Sequence, residues 1–502
     1  MAHFKNPILR GFHPDPSICR VEEDYYMVTS TFEFFPGVPI YHSRNLIDWE
    51  LINYCLVDDD QLDLTDCASS GGIYAPTLRY HDGVFYMITT NVTHKGNFIV
   101  HTKDIYGKWS KPFWVDQKDI DPSLFFDDDG KVYFTGNNSL TPQKQGIVVF
   151  EIDPMTGERL SEKKIVTYGT GGKTPEGSHM YKINGTYYLM LAEGGTEYGH
   201  METIMRGDSP YGPFTECPHN PILSHKDYMG SQIQATGHAD LVEDQNGNWW
   251  MVSLGIRKLP KVMLHNLGRE TFLTPVVWKD GWPVAGDHGR TELEWEAPLP
   301  GEAPKGMKLS FTDHFDGDKM DLRWNFVRNP KRDHYVLQDG KLSLRAGEET
   351  LQDHHPTLLC VRQQEFEETA QTTVSCKRLE EGGKIGLTAY YNKDYHYEVY
   401  LTKRDGDCRI GYGWTVHAME AEREIFLASV PEVLSFRVKA DTRGYTFSYS
   451  TDGKIWTEAG FGAVAGLCKE GTMTMTFTGT YLGVFTSRAE ADVTSFSVEI
   501  DE

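Results

Sequence analysis

A glycine in an acidic or amide turn, followed at once by paired aromatic or apolar residues, returns four times in the first part of this chain. It reads Asp82-Gly83-Val84-Phe85-Tyr86, Asp129-Gly130-Lys131-Val132-Tyr133, Asn184-Gly185-Thr186-Tyr187-Tyr188 and Asn246-Gly247-Asn248-Trp249-Trp250. A fifth copy without glycine precedes them at Glu23-Asp24-Tyr25-Tyr26. Asp-Gly and Asn-Gly are the residues of tight hairpin turns, because both central positions take positive φ. The glycines lie 47, 55 and 62 residues apart, about the length of one four-stranded propeller blade with its loops. Long helical periodicity is absent, and short alternating segments recur between turns, as in an all-β chain. Five copies predict a five-bladed β-propeller.

The phase of the repeat matters most for function. Nine residues before the hairpin position stand Asp15, Asp121, Glu176 and His238; in the second copy Ala75 stands eight before Gly83. The innermost strand of every blade runs along the propeller axis, so equivalent positions face one another across it. Their surroundings repeat too: His13-Pro14-Asp15-Pro16-Ser17, Ile120-Asp121-Pro122-Ser123 and Thr174-Pro175-Glu176-Gly177-Ser178. A single Asp beside Pro reads as a turn residue. Three acids in one phase instead predict a cluster of carboxylates at one funnel.

Converging carboxylates suit glycosidic bond cleavage, which needs an acid on the leaving oxygen and a base or nucleophile on the opposite face. Two carboxyls divide that work when their surroundings push their pKa values apart, and a third nearby does so by charge repulsion. Glu176, longer and preceded by proline, suits the projecting acid. Asp15 then suits the base, and Asp121 the group that raises the acid's pKa. The formal net charge of -23 opposes nucleic acid or an anionic membrane as partner and is compatible with a neutral sugar. No apolar run of membrane-spanning length occurs, and residues 1–7 have no apolar leader. The eight cysteines are scattered without a C-x-x-C pair, so free thiols in a reducing cytoplasm are expected.

The three acid-bearing segments, with Asp121-Pro122-Ser123-Leu124-Phe125 and Pro175-Glu176-Gly177-Ser178-His179, closely resemble the signatures of glycoside hydrolase family 43. The resemblance extends to Thr31-Phe32-Glu33-Phe34-Phe35-Pro36-Gly37-Val38, Ala75-Pro76, Thr236-Gly237-His238-Ala239-Asp240 and Leu267-Gly268-Arg269-Glu270-Thr271. It implies a five-bladed propeller and an inverting mechanism with Asp15 as general base, Asp121 as pKa modulator and Glu176 as general acid. It further implies that Arg269 binds hydroxyls of the terminal sugar and that Phe32, Tyr74 and Ala75 line the pocket. His200 is expected to border the same pocket. Tyr74 stands where many β-xylosidases of the family carry tryptophan, which leaves the preferred pentose open. His238 matches a histidine that holds calcium or a water cluster on the axis in many relatives. A lone imidazole is a poor ligand set for calcium, so waters would have to complete the shell; calcium on the axis stays open, and no cofactor is expected to be required.

A proline-rich stretch, Ala297-Pro298-Leu299-Pro300-Gly301-Glu302-Ala303-Pro304, divides the chain into a propeller over 1–296, a linker over 297–307 and a second domain over 308–502. Alternation such as Tyr445-Thr446-Phe447-Ser448-Tyr449-Ser450 before a Thr451-Asp452-Gly453 turn predicts a β-sandwich there. It resembles the accessory sandwich of the family's exo-acting members, with Phe477 through Tyr481 as the candidate loop over the pocket. The resulting expectation is an exo-acting hydrolase that releases L-arabinofuranose or D-xylose from arabino- and xylo-oligosaccharides. An endo-arabinanase and a non-catalytic carbohydrate-binding protein stay open as alternatives, as does assembly into a homo-oligomer.

Overall fold

Adjacent residues of a strand point to opposite faces, which explains why the repeat carries its large side chains in pairs. In the computed structural model, which describes residues 1–500 except 142–143, 287, 307, 428 and 475, each pair serves two blade interfaces. Tyr26 packs toward blade 2 and Tyr25 toward blade 5. Phe85 and Tyr86 divide likewise between blades 1 and 3, and Tyr187 and Tyr188 between blades 3 and 5. Five apolar layers therefore lie between the blades, with no single central core.

The blades are five sheets whose four main strands follow in chain order. Their inner hairpins are Ser17–Val21 with Asp24–Val28, Ile73–His81 with Val84–Asn91, Ser123–Phe126 with Val132–Thr141, Glu176–Ile183 with Thr186–Glu193, and Ile233–Glu243 with Trp249–Arg257. Two of the four glycine turns have the expected form: Asp82 and Gly83, and Asn184 and Gly185, all take positive φ. The other two differ. Only Gly130 and Gly247 are left-handed there, and the loops run five residues, 127–131 and 244–248. An additional aspartate opens each longer turn, Asp127 accepting from the Asp128 amide and Asp244 from those of Asn246 and Asn248.

A polar layer on the axis ties all five blades. Asp240 is fully buried and accepts from Arg79 Nη1 at 2.7 Å, Ser17 Oγ at 2.7 Å and Tyr181 at 2.7 Å. His179 Nδ1 lies 3.0 Å from Arg79 and 3.1 Å from the Ser123 hydroxyl. The serines of both Asp-Pro-Ser segments thus fasten the acid-bearing strands. Ala2–Lys5 pairs with Glu294–Ala297 and brings the two ends of the propeller together. Ala297, expected to open the linker, is therefore still paired. Met307 and residues 501–502, assigned to the linker and the second domain, lie outside the described residues.

The second domain is a β-sandwich built on two long strands, Glu368–Asn392 and Tyr481–Ile500, which pair with each other. The first half of Glu368–Asn392 pairs with Leu434–Asp441 and the second with Tyr395–Arg404, with a register shift between Leu379 and Lys384. Such irregularities let one strand serve two sheets.

The propeller and sandwich share a core. Phe12, Phe32 and Phe34 pack with Leu358, Tyr390, Tyr481 and Phe485, and Phe34–Phe35 joins the sandwich sheet beside Asn325–Val327. Burying one phenylalanine contributes about 1.5–3 kcal/mol, so exposing three costs about 5–9 kcal/mol, comparable with the net stability of a domain. A chain cut after Glu302 should therefore fail to refold as a soluble monomer, as read by size-exclusion chromatography and circular dichroism. A soluble, fully active propeller would show that the shared core is dispensable.

Candidate active site

Each blade delivers one residue of the repeat phase to a single cavity. Asp15, Ala75, Asp121, Glu176 and His238 line it together, and its volume is ≈ 70 Å³. The backbone explains how they point inward. Asp15, Ala75, Asp121 and His238 are left-handed, with φ of 52°, 26°, 59° and 47°, and in blade 4 the left-handed residue is Gly177 at 55°. A left-handed non-glycine residue costs on the order of 1 kcal/mol or more, and four of them converge here. Register shifts accompany them at Tyr74/Thr77, Glu176/His179 and Gly237/Asp240. Bulges of this kind re-aim side chains at strand ends. Larger cavities exist, including one of ≈ 590 Å³ between the domains with Asp48, Glu50 and Asp321 and one of ≈ 320 Å³ in the sandwich with Glu398, Glu420 and Glu422, but those carboxylates do not come from the repeat phase of successive blades.

The carboxylates sit in opposed electrostatic surroundings. Asp15 accepts from Ser30 Oγ at 2.6 Å and Arg269 Nη1 at 2.9 Å, and His238 Nδ1 stands 3.7 Å away. Burial would raise its pKa, but Arg269, then His238 and the Ser30 hydroxyl outweigh it and hold Asp15 below the ordinary aspartate range. Glu176 is driven the other way. Burial, then the charges of Asp121 and Asp15, push it well above the ordinary glutamate range, with only Arg269 opposing. Asp121 is raised by burial and by Asp15, against His238 and the Gly177 amide, which donates to it at 3.1 Å. One carboxyl held below its ordinary range and another raised above it, facing a single cavity, are the pair that glycoside hydrolysis divides between base or nucleophile and acid.

Aromatic rings form one wall. Phe32 and Tyr74 have centroids 4.7 Å apart, and Phe477 of the sandwich stands 5.6 Å from Phe32 and 5.9 Å from Tyr74. Ser70 holds two of the three: its carbonyl accepts the Tyr74 hydroxyl at 2.7 Å, and its Oγ accepts the Phe477 amide at 2.9 Å. The candidate loop beginning at Phe477 therefore does reach the cavity, through its first residue, while Tyr481 is buried in the shared core. Arg269 lies over both Phe32 and Phe477, 5.4 and 5.5 Å from their centroids. Beside Ile120, Thr196 also lines the cavity and accepts from Arg269 Nη1 at 3.0 Å. It sits on the loop between Thr186–Glu193 and Met201–Gly207, outside the repeat phase, so phase counting missed it.

His200 is placed differently from expectation. It is fully buried, with Nδ1 3.3 Å from the Ala235 carbonyl and its ring against Gly237, and is not among the side chains lining the cavity. Burial, then the charge of His238, lowers its pKa to about 3, which keeps the imidazole neutral. His238 lines the axis with its ring against Gly177. Among the described residues no group of three or more His, Cys, Asp or Glu forms a metal-ligating cluster. A cation at His238 would take most of its six to eight oxygens from water.

Residues 4–283 match the model of "Glycosyl hydrolases family 43", and residues 312–499 match "Beta xylosidase C-terminal Concanavalin A-like domain". A non-reducing end alpha-L-arabinofuranosidase of Bacteroides ovatus is 44% identical over 413 residues, 80% of this chain and 76% of its own. A xylosidase/arabinosidase of Butyrivibrio fibrisolvens is 39% identical over 427 residues, covering 80% and 81%. Among solved structures, a xylan beta-1,4-xylosidase from Bacillus halodurans superposes with a TM-score of 0.93 at 32% identity, over 99% of this chain and 100% of that one. The chain belongs to glycosyl hydrolase family 43, as a propeller enzyme carrying that family's β-xylosidase type of concanavalin A-like domain.

Proposed function

We propose that this enzyme is an exo-acting, inverting hydrolase that releases terminal L-arabinofuranose or D-xylose from arabino- and xylo-oligosaccharides in hemicellulose breakdown. The observation that carries the reading is the small cavity in which Arg269 holds the pKa of Asp15 down while burial and two carboxyl neighbours push that of Glu176 up. Asp15 takes a proton from water as the water oxygen bonds to the anomeric carbon. The glycosidic C–O bond breaks, and Glu176 gives its proton to the leaving oxygen. Asp121 favours the protonated form of Glu176 by charge repulsion. Arg269 serves sugar hydroxyls as well as Asp15, and Phe32, Tyr74 and Ala75 wall the ring.

Phe477 of the sandwich beside the cavity favours one terminal sugar over the open groove of an endo-acting arabinanase. A pure binding protein has no use for two carboxyls pushed apart in pKa. The names of the relatives, arabinofuranosidase, xylosidase/arabinosidase and xylosidase, support both pentoses. The chemistry needs water and carboxyls but no cofactor; calcium with water at His238 would act on the order of the axis. All eight cysteines are free, which supports a reducing compartment, taken here to be the cytoplasm.

Proton NMR during early hydrolysis of an alkyl β-D-xyloside, which releases a single reducing sugar, tests the inverting part. α-Xylose should appear first, followed by slow mutarotation. The two working carboxyls belong to blades 1 and 4, which are not neighbours, in keeping with the separation of about 6.5–9.5 Å that admits a water. Initial β-xylose would mean a covalent intermediate and would overturn these roles. A parallel assay of nitrophenyl α-L-arabinofuranoside and β-D-xyloside ranks the pentoses.

A further inference from the structure

The sandwich approaches the carboxylates at a second place, distinct from the aromatic wall. Its short turn Lys469–Gly471 lies against the blade 4 loop that carries Thr196. Lys469 Nζ donates to the Thr196 carbonyl at 3.3 Å and pairs with Glu197 at 3.1 Å. Glu470 Oε1 accepts the Tyr198 hydroxyl at 2.5 Å and His265 Nδ1 at 2.7 Å, and Oε2 accepts the His265 amide at 3.1 Å. Burial would raise Glu470, but His265 and then Tyr198 hold it down at about 2. Three consecutive loop residues, Thr196 to Tyr198, are thus bound by two consecutive residues of the other domain.

Both sides of this contact lead to Arg269. Thr196 Oγ1 accepts from its Nη1 at 3.0 Å, the same nitrogen that reaches Asp15 at 2.9 Å. The Phe477 carbonyl accepts from Nη2 at 3.4 Å. Arg269 Nε is buried without a hydrogen-bond partner. The direction of the guanidinium is therefore set by Asp15, Thr196, the Phe477 carbonyl and the two ring faces. A cavity of ≈ 320 Å³ borders the contact, lined by Thr196, Tyr198, Arg269, Lys469 and Glu470 among others. It leaves the loop room to swing once untied.

We propose that Lys469 and Glu470 are positioning residues for the general base: they hold the blade 4 loop so that Thr196 keeps Arg269 on Asp15. The proposal rests on the reading of Asp15 as base. The groups facing Asp15 are Arg269, His238 and His200, with Asp121 and Glu176 across the cavity. Of these, only Arg269 is reached by the clamp. Loosening it frees Arg269 Nη1 from Thr196 and lets the guanidinium leave Asp15, which removes the main opposition to the rise of Asp15 and also the one cation opposing the rise of Glu176, while the carboxyl neighbours of Glu176 stay in place.

The test is the pH profile of kcat/KM for the full chain carrying Glu470→Ala, with Tyr198→Phe as a milder variant that deletes one hydroxyl. Glu470→Ala should lower kcat/KM about tenfold and move the low-pH limb upward by about one unit. The high-pH limb should move in the same direction by less, because burial and the charges of Asp121 and Asp15 still dominate Glu176. Tyr198→Phe should shift the low-pH limb in the same direction by less, with an unchanged circular dichroism spectrum. An unmoved low-pH limb in folded Tyr198→Phe and Glu470→Ala enzymes overturns the proposal, as does an equal shift of both limbs. Asp15→Ala separates the two layers of the argument. If it retains turnover, the base assignment fails whatever Glu470 does; if it is inactive while the limb stays put, the clamp alone fails.

Discussion

Asp15→Ala should lower kcat by about 10⁴-fold, the upper end of what general acid–base catalysis contributes, and by the same factor for every leaving group. The base acts on water, so the leaving oxygen has no influence on what is lost. The variant also strands Arg269, which is 7% exposed and pairs with Asp15 at 2.9 Å. Leaving a buried charge without its partner costs about 3–5 kcal/mol. Asp15→Asn is the cleaner companion, because its carbonyl can still accept from Arg269 or Ser30. Inactive Asp15→Asn of near-native melting temperature would separate chemistry from stability. The pH dependence has a definite sign. Folding depresses the pKa of Asp15, so its contribution to stability is present above the ordinary aspartate range and lost as pH falls through the folded value. Asp15→Asn should lack that acid-side loss, while the wild-type low-pH limb of kcat/KM should lie below the ordinary aspartate range. Turnover by Asp15→Ala within tenfold of wild type would remove Asp15 from the base role.

The sequence made the catalytic ring legible because a propeller converts repeat phase into position. Counting back from each hairpin found one cavity-lining residue in all five blades, including the non-ionisable Ala75. The same count could not find Thr196 or Phe477. Thr196 sits on a loop outside the inner strand, and Phe477 comes from another domain, so neither shares the period. His200 shows the opposite error. Its neighbourhood in sequence suggested the cavity, but the imidazole packs against Gly237 behind the lining, with Nδ1 3.3 Å from the Ala235 carbonyl, Nε2 without a hydrogen-bond partner among the described residues, and only its charge, when protonated, acting on Asp15. Turn form was half legible. Asp-Gly and Asn-Gly marked the hairpins correctly, but Asp127 and Asp244 lengthen two of them by binding amides inside the loop. The dipeptide alone carries no sign of that competition.

Glu176→Gln should separate substrates by leaving group, which makes it the sharper test of the acid role. Xylo-oligosaccharides depart as poorly stabilised alkoxides and should lose about 10³–10⁴-fold in kcat/KM, while a dinitrophenyl glycoside, whose phenolate needs little protonation, should lose less than about tenfold. Among the described residues the carboxyl has no hydrogen-bond partner to lose, and part of its surface stays open to the cavity, so the amide should fit without repacking. Stability supplies an independent reading of opposite sign to Asp15. The folded protein raises the pKa of Glu176 through burial and the charges of Asp121 and Asp15. Its contribution is therefore complete below the unfolded glutamate pKa and lost as pH rises through the folded value. Glu176→Gln cannot ionise, so it should melt higher than wild type on the alkaline side and gain nothing at acid pH. On the dinitrophenyl glycoside the high-pH limb of kcat/KM should disappear as well, because the group that must stay protonated is gone. Equal losses on both substrates, with the high-pH limb retained, would give the acid role to another residue, and Asp121, the other raised carboxyl in the cavity, would be the next to replace.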